Sequence, residues 1–271
     1  MSVIQRCDSG GQSVSLLGVD SHNILLLVAA AFGAGLMNSV AGGGSFLSFP
    51  ALVFIGIPSV TANATNTVAL FPGQLASAWA YRHDFPRMEG LKPATIIAFS
   101  IAFSIAGGVV GALLLIYTPE AAFDALVPWL LLLATVLFAF SKKIVPWLKA
   151  RFHVGPLALC IVQFLLSVYG GYFGGAVGIM MLALFGLFGI DHIHSANALK
   201  TLLSGLVNSV AVVCFVAAGA VAWGPALIML LSAVAGGYIG ARVARRLSPD
   251  LVRKIVISIG AIMSVVFFVK G

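Results

Sequence analysis

Two stretches of the chain place amide, hydroxyl and ammonium groups at helical spacing inside otherwise apolar segments. The first holds Asn63, Asn66, Thr67, Gln74 and Ser77; the second holds Asn197, Lys200, Thr201, Ser204 and Asn208. Spacings of 3, 4, 7 and 11 residues put each set on one side of a helix. Such groups also hydrogen-bond across membrane helices, and any single one of them reads equally well as glue between helices. The two stripes together read as a substrate path. Lys200 is the only basic residue well inside an apolar segment. A charge near the bilayer centre costs about 3 kcal/mol or more, so an ionisable group there is a functional candidate by default. The competing reading is snorkelling, since Lys200 lies one to two turns from a helix end. Asp191 is the one carboxylate close by in sequence, and it reads as a partner of Lys200 or as a solvated interfacial group. His192 and His194 read as interfacial rather than as a proton relay.

The elements that must carry these stripes begin at a glycine break. An apolar run from Ile24 to Ile57 is too long for one crossing, which takes roughly 20 residues. Gly42, Gly43 and Gly44 fall at its centre, beside Asn38, Ser39, Ser45 and Ser48. Glycines there could serve packing alone, but three in a row among polar residues predict a broken helix. Broken backbone at membrane depth is tolerated only inside protein or along a wet cavity, and broken helices hold the substrate in many transporters.

Composition agrees with a membrane setting. The chain of 271 residues is 61% hydrophobic and 8% charged, with mean hydropathy +1.10; a soluble domain is about 25% charged. The net charge of +7 marks cytoplasmic loops rather than a nucleic-acid partner. Cys7, Cys160 and Cys214 show no metal or redox spacing. No cleaved signal peptide is expected, because the apolar run after residue 23 is too long and lacks a basic flank. The expected organisation is a polar segment over 1–23, a first membrane repeat over 24–141, a basic cytoplasmic linker over 142–155 and a second repeat over 156–271.

The repeat is legible in order. Gly42-Gly43 matches Gly174-Gly175, Gly56-Ile57 matches Gly189-Ile190, and Ala62-Asn63-Ala64 matches Ala196-Asn197-Ala198. GGVVGA from Gly107 matches GGYIGA from Gly236, and TPE from Thr118 matches SPD from Ser248. Within the stripes Asn63 pairs with Asn197, Asn66 with Lys200, Thr67 with Thr201 and Gln74 with Asn208. Equivalent turns differ in charge: Tyr117 to Glu120 carries no basic residue, whereas its partner holds Arg242, Arg245, Arg246, Arg253 and Lys254. Basic loops face the cytoplasm, so the two halves are expected to be inverted. Each broken segment must then be a hairpin entered and left on one side, with arms of roughly 15–18 residues, about 22–27 Å at helical rise. Both termini are expected outside. The fold class expected is an all-α polytopic membrane protein of two inverted repeats, each a glycine-broken helical hairpin plus three transmembrane helices.

A lysine, many amide and hydroxyl donors and two helix N-termini after the breaks favour an anion. A cation carrier would instead show buried Asp or Glu, and only Asp124, near a helix end, lies in an apolar segment.

The stretches NSVAGGGSFLSFPAL, TANATNT, YGGYFGGAVG and HSANALK resemble the sulfite exporter TauE/SafE family of membrane permeases, over about residues 24 to 269. The resemblance implies about eight spans and transport of small sulfur-containing anions such as sulfite, thiosulfate or sulfoacetate. No cofactor is expected. The family's motifs fall on Asn38, Gly42, Gly43, Gly44, Asn63, Asn66, Gly174, Gly175, Asn197 and Lys200. With Ser45, Thr67, Gln74, Thr201 and Asn208 from the stripes and the break, these make up the expected substrate-binding set.

The expectation is therefore a secondary transporter of a small anion in an inner membrane, driven by a gradient because no nucleotide-binding motif is present. The expected partners are the anion, the bilayer and, as an open alternative, further copies of the chain. A carboxylate is the alternative anion. An intramembrane enzyme would need a nucleophile with a base or a ligand cluster, which the sequence does not offer. A scaffold without transport is disfavoured by the duplicated, broken helices.

Overall fold

The computed structural model describes residues 15–16, 19–40, 42–83, 93–151, 156–175, 177–187, 193–243 and 249–270. Ten helices occupy nearly all of them: α1 Ser21–Val40, α2 Ser45–Phe54, α3 Ser59–Ala80, α4 Pro93–Tyr117, α5 Glu120–Arg151, α6 Pro156–Tyr172, α7 Val177–Leu187, α8 Ile193–Ala217, α9 Trp223–Val243 and α10 Pro249–Lys270. Two strands of two residues each, β1 Ser15–Leu16 and β2 Val19–Asp20, pair antiparallel just before α1. The helical part thus starts slightly earlier than the apolar run does, at Ser21.

Among the described residues, five stretches are long and apolar enough to cross a membrane: Ser21–Val40, Ser100–Tyr117, Glu120–Leu137, Ser195–Ala217 and Trp223–Val243. The chain is an all-α polytopic membrane protein. Helix α3 has 22 residues, about 33 Å of helix, but its polar stripe keeps it out of that set.

Both breaks fall where expected, and they close in the same way. Gly42 and Gly43 have φ of 84° and 88°, and Gly174 has φ of 73°, a region that glycine enters without a Cβ penalty. The N–H of Gly42 bonds Met37 O at 2.9 Å, and that of Gly174 bonds Tyr169 O at 3.4 Å. In each, the bond reaches back five residues to the last turn of the helix, and the donor is itself a left-handed glycine.

The arms are not of equal length, which corrects the expected 15–18 residues. Arms α1 and α6 have 20 and 17 residues, but α2 and α7 only 10 and 11. At 1.5 Å per residue the returning arm α2 spans about 15 Å, half a hydrocarbon core. For α2 the cause is local. Its C-terminal turn unwinds at Gly56, φ 90°, and α3 starts after Pro58. The apolar character runs on through Ile55 and Ile57, so hydropathy overstates the helix. A second correction concerns the basic stretch. Helix α5 runs on to Arg151, so most of the expected linker prolongs a spanning helix.

The most extensive helix pairs are α1 with α9 and α4 with α6. Backbone approach makes both pairs close. A Cβ on Gly236 would stand 2.1 Å from Phe32 O, and one on Gly111 would stand 2.1 Å from Val168 O. Small residues that let backbones meet are the usual basis of helix association in lipid. The repeated GGxxGA motifs are therefore packing motifs, and one of them also meets a stripe: Ser77 Oγ donates to Gly237 O at 3.0 Å.

Hydrogen bonds fix the directions. The N–H of Val60, at the start of α3, bonds Glu120 Oε2 at 2.9 Å, and the N–H of Ala222, beyond the end of α8, bonds Thr65 Oγ1 at 2.9 Å. The start of α3 thus lies beside the end of α8, and the two run antiparallel. The turns 118–120 and 218–222 share that end of the molecule. Arg82 and Arg242 lie at the other end, each with its guanidinium over a neighbouring ring, Trp79 and Tyr238.

Candidate functional site

The hairpin tips meet beside the crossing of α3 and α8. A Cβ on Gly178 would lie 3.3 Å from Gly42 Cα. Between the tips is a cavity of about 20 Å³, lined by Asn38, Gly42, Gly43, Gln74, Gly174, Val177, Gly178, Lys200, Thr201 and Ser204. That volume suits a water or two. An organic anion enters only if the tips move apart.

Lys200 is the one charged residue of the lining and is 1% exposed. Its Nζ donates to Asn197 Oδ1 at 2.9 Å and to Asn38 O at 3.0 Å. No carboxylate accompanies it among the described residues. This geometry does not fit snorkelling, because the ammonium turns inward to the last turn of α1. Asp191 and His192 lie outside the described residues, as does the side chain of His194. So do Arg87, Lys92, Arg245, Arg246 and Ser248, and the side chains from 141 to 151.

Asn38 does two things at the break. Its carbonyl accepts from Lys200, and its Oδ1 accepts from Gly44 N at 2.7 Å, serving one of the free donors at the start of α2. Gln74 reaches the cavity from α3, and its Oε1 accepts from Asn208 Nδ2 at 2.8 Å. This bond joins the two stripes where the helices cross.

The other expected residues lie off the cavity wall, and most act as glue. Asn66 donates to Ser45 Oγ at 3.1 Å and accepts from Ser48 Oγ, holding α2 to α3. Asn63 Nδ2 donates to Tyr172 O at 2.8 Å. Its Oδ1 is buried and accepts no hydrogen bond from the described residues. Thr67 Oγ1 bonds Asn63 O within α3. Asn197 and Asn208 support Lys200 and Gln74. A Cβ on Gly44 would press on Ala34 O at 2.2 Å, and one on Gly175 would meet the Phe173 ring at 2.5 Å; both glycines serve close packing.

Sequence reasoning missed Val177 and Gly178.

On the side of the turns 118–120 and 218–222, aromatic rings fill the space. Phe49 stacks on Phe267 and meets Phe123 and Phe173 edge-on, and Tyr172 joins through Phe123. The cavity lies on the other side of the Gln74–Asn208 bond, toward the start of α8.

A family model described as sulfite exporter TauE/SafE matches residues 27–267. The chain is similar to the probable membrane transporter protein YfcA of Escherichia coli K12, 28% identical over 253 residues, covering 92% of this chain and 91% of the relative. It is similar also to a probable membrane transporter protein of Haemophilus influenzae, 27% identical and covering 92% and 94%. A third relative is the probable membrane transporter protein ORF9 of a Sinorhizobium species, 27% identical with 90% and 92% coverage. No solved structure matches the chain. With the match running from within α1 to within α10, the chain belongs to the sulfite exporter TauE/SafE family of membrane transporters.

Proposed function

We propose that the chain is a secondary transporter of a small sulfur-containing oxyanion, held between the two hairpin tips against Lys200. The observation that carries this reading is a buried ammonium in a polar cavity with no carboxylate beside it among the described residues. A charge in that setting needs a counter-charge, and an anion supplies it. The Thr201 and Ser204 hydroxyls and the Gln74 amide complete a lining able to donate to oxygens.

The carrier frame is two inverted repeats. The antiparallel course of α3 and α8 supports it, because these helices carry the paired stripes. So does the exchange of partners: α1 packs on α9 as α6 packs on α4, and α1 corresponds to α6 as α4 does to α9. The ends with Arg82 and Arg242 face the cytoplasm of a cell with an inner membrane, and both termini lie outside. Single cysteines at Thr118 and Gly219, in a background lacking Cys7, Cys160 and Cys214, are expected to react with an impermeant reagent from outside. One at Ser248 is expected to react only from inside. Labelling of Thr118→Cys and Ser248→Cys from the same side refutes inversion.

The substrate is tested by uptake into proteoliposomes of purified protein, with sulfite, thiosulfate, a sulfonate and a carboxylate compared. Saturable uptake of the sulfur oxyanions above the carboxylate is expected. Preference for the carboxylate replaces the substrate class, and the absence of any uptake favours a scaffold or receptor.

A further inference from the structure

Asn63 Oδ1 is a buried acceptor without a donor among the described residues, on a side chain 1% exposed. Its counterpart in the second half explains what such an acceptor does. Asn197 Oδ1, together with a carbonyl from the last turn of α1, holds the Lys200 ammonium at 2.9 and 3.0 Å. In the first half Asn63 stands where Asn197 stands, and the last turn of α6 replaces that of α1 through Tyr172 O. The lysine position, however, is Asn66, whose amide turns away to Ser45 and Ser48. The first half keeps the two oxygen acceptors of a cation without the built-in cation.

We infer that Asn63 Oδ1 and the last carbonyls of α6 bind a monovalent cation of sodium's class, in the place that the Lys200 ammonium takes in the other half. The inference rests on the repeat correspondence proposed above. Carbonyls at an interrupted helix and helix C-terminal ends are the groups that coordinate Na⁺ in transporters, and the partial negative charge of a helix C-terminus favours a cation. Divalent ions draw on carboxylates. Among the described residues the carboxylate bonded to α3 is Glu120, which serves Val60 N at the exposed helix start, about a turn away. The Asn63 amide now points its nitrogen at Tyr172 O; a half-turn of the carboxamide exchanges nitrogen for oxygen and lets a cation bridge the two oxygens. A cation here would be a candidate coupling ion for the anion transport proposed above.

The test is equilibrium binding of ²²Na⁺ to the purified full chain, in choline chloride at constant ionic strength. Saturable binding, displaced by unlabelled Na⁺ and not by added choline, is expected. Asn63→Ala is expected to weaken it at least tenfold. Asn66→Lys, which installs an ammonium at the equivalent position, is expected to abolish it while the protein still elutes as the folded species. No saturable binding by the unaltered protein overturns the site, whatever the variants do. Equal binding by the unaltered protein and Asn63→Ala overturns it as well. The cysteine pair at Thr118 and Ser248 reads inversion separately. Opposite-side labelling without Na⁺ binding refutes the cation site alone, and same-side labelling refutes the repeat beneath it.

Discussion

Lys200→Met is expected to weaken anion binding by about 2–5 kcal/mol, the usual cost of removing one member of a buried charge pair. At about 1.4 kcal/mol per tenfold this is a loss of roughly 30-fold to several thousand-fold. The unliganded protein should behave differently. Methionine leaves Asn38 O and Asn197 Oδ1 without their shared donor, at about 1–3 kcal/mol per buried group. It also removes a charge whose burial is uncompensated until an anion arrives. These effects oppose each other, so the melting temperature without anion should move far less than the affinity. Lys200→Arg should recover only part of the binding, because a planar fork does not replace a compact ammonium in a cavity of about 20 Å³. Calorimetry with sulfite or thiosulfate on the three proteins in detergent checks this, and equal affinities refute the counter-charge role.

Gly178→Leu is expected to abolish uptake while the protein still folds. The new Cβ would stand 3.1 Å from Lys200 Cδ and 3.3 Å from Gly42 Cα, and the rest of the side chain has only the cavity to enter. Overpacking of this kind costs about 1–3 kcal/mol, partly offset by the better helix propensity of leucine, about 0.8 kcal/mol or more over glycine. Gly175→Leu provides the contrast. Its Cβ collides with the Phe173 ring at 2.5 Å, away from the cavity, so its first effect should be on yield and melting temperature. Uptake by Gly178→Leu at the unaltered rate, measured in proteoliposomes at matched protein, removes the cavity from the transport path.

The breaks and the stripes were legible because each depends on local chemistry. Glycine at positive φ and polar groups at helical spacing in an apolar field leave a mark on the sequence itself. Which side of a stripe faces the cavity was not legible, since that depends on the neighbouring helix. Asn66 and Lys200 pair in the repeat proposed from the sequence, yet one binds the serines of α2 and the other lines the cavity. The short returning arm α2 escaped notice because Ile55 and Ile57 keep the hydropathy high past the helix end. The continuation of α5 to Arg151 escaped because basic residues at a membrane surface read as a loop, although they prolong a helix equally well.

Under the repeat correspondence proposed above, the aromatic cluster around Phe49, Phe123, Phe173 and Phe267 has no aromatic counterpart in sequence. The residues at the matching repeat positions are Met181, Arg253, Ala41 and Leu137. Parting the helices on the cluster's side separates rings whose pairwise contacts are each worth about 0.5–1.5 kcal/mol beyond area; parting them on the other side does not. In the carrier proposed above, the two empty orientations would therefore be unequal in free energy, the one with the aromatic side shut being the lower. On that reading, mutations that trim Phe49, Phe123 or Phe267 are expected to speed exchange.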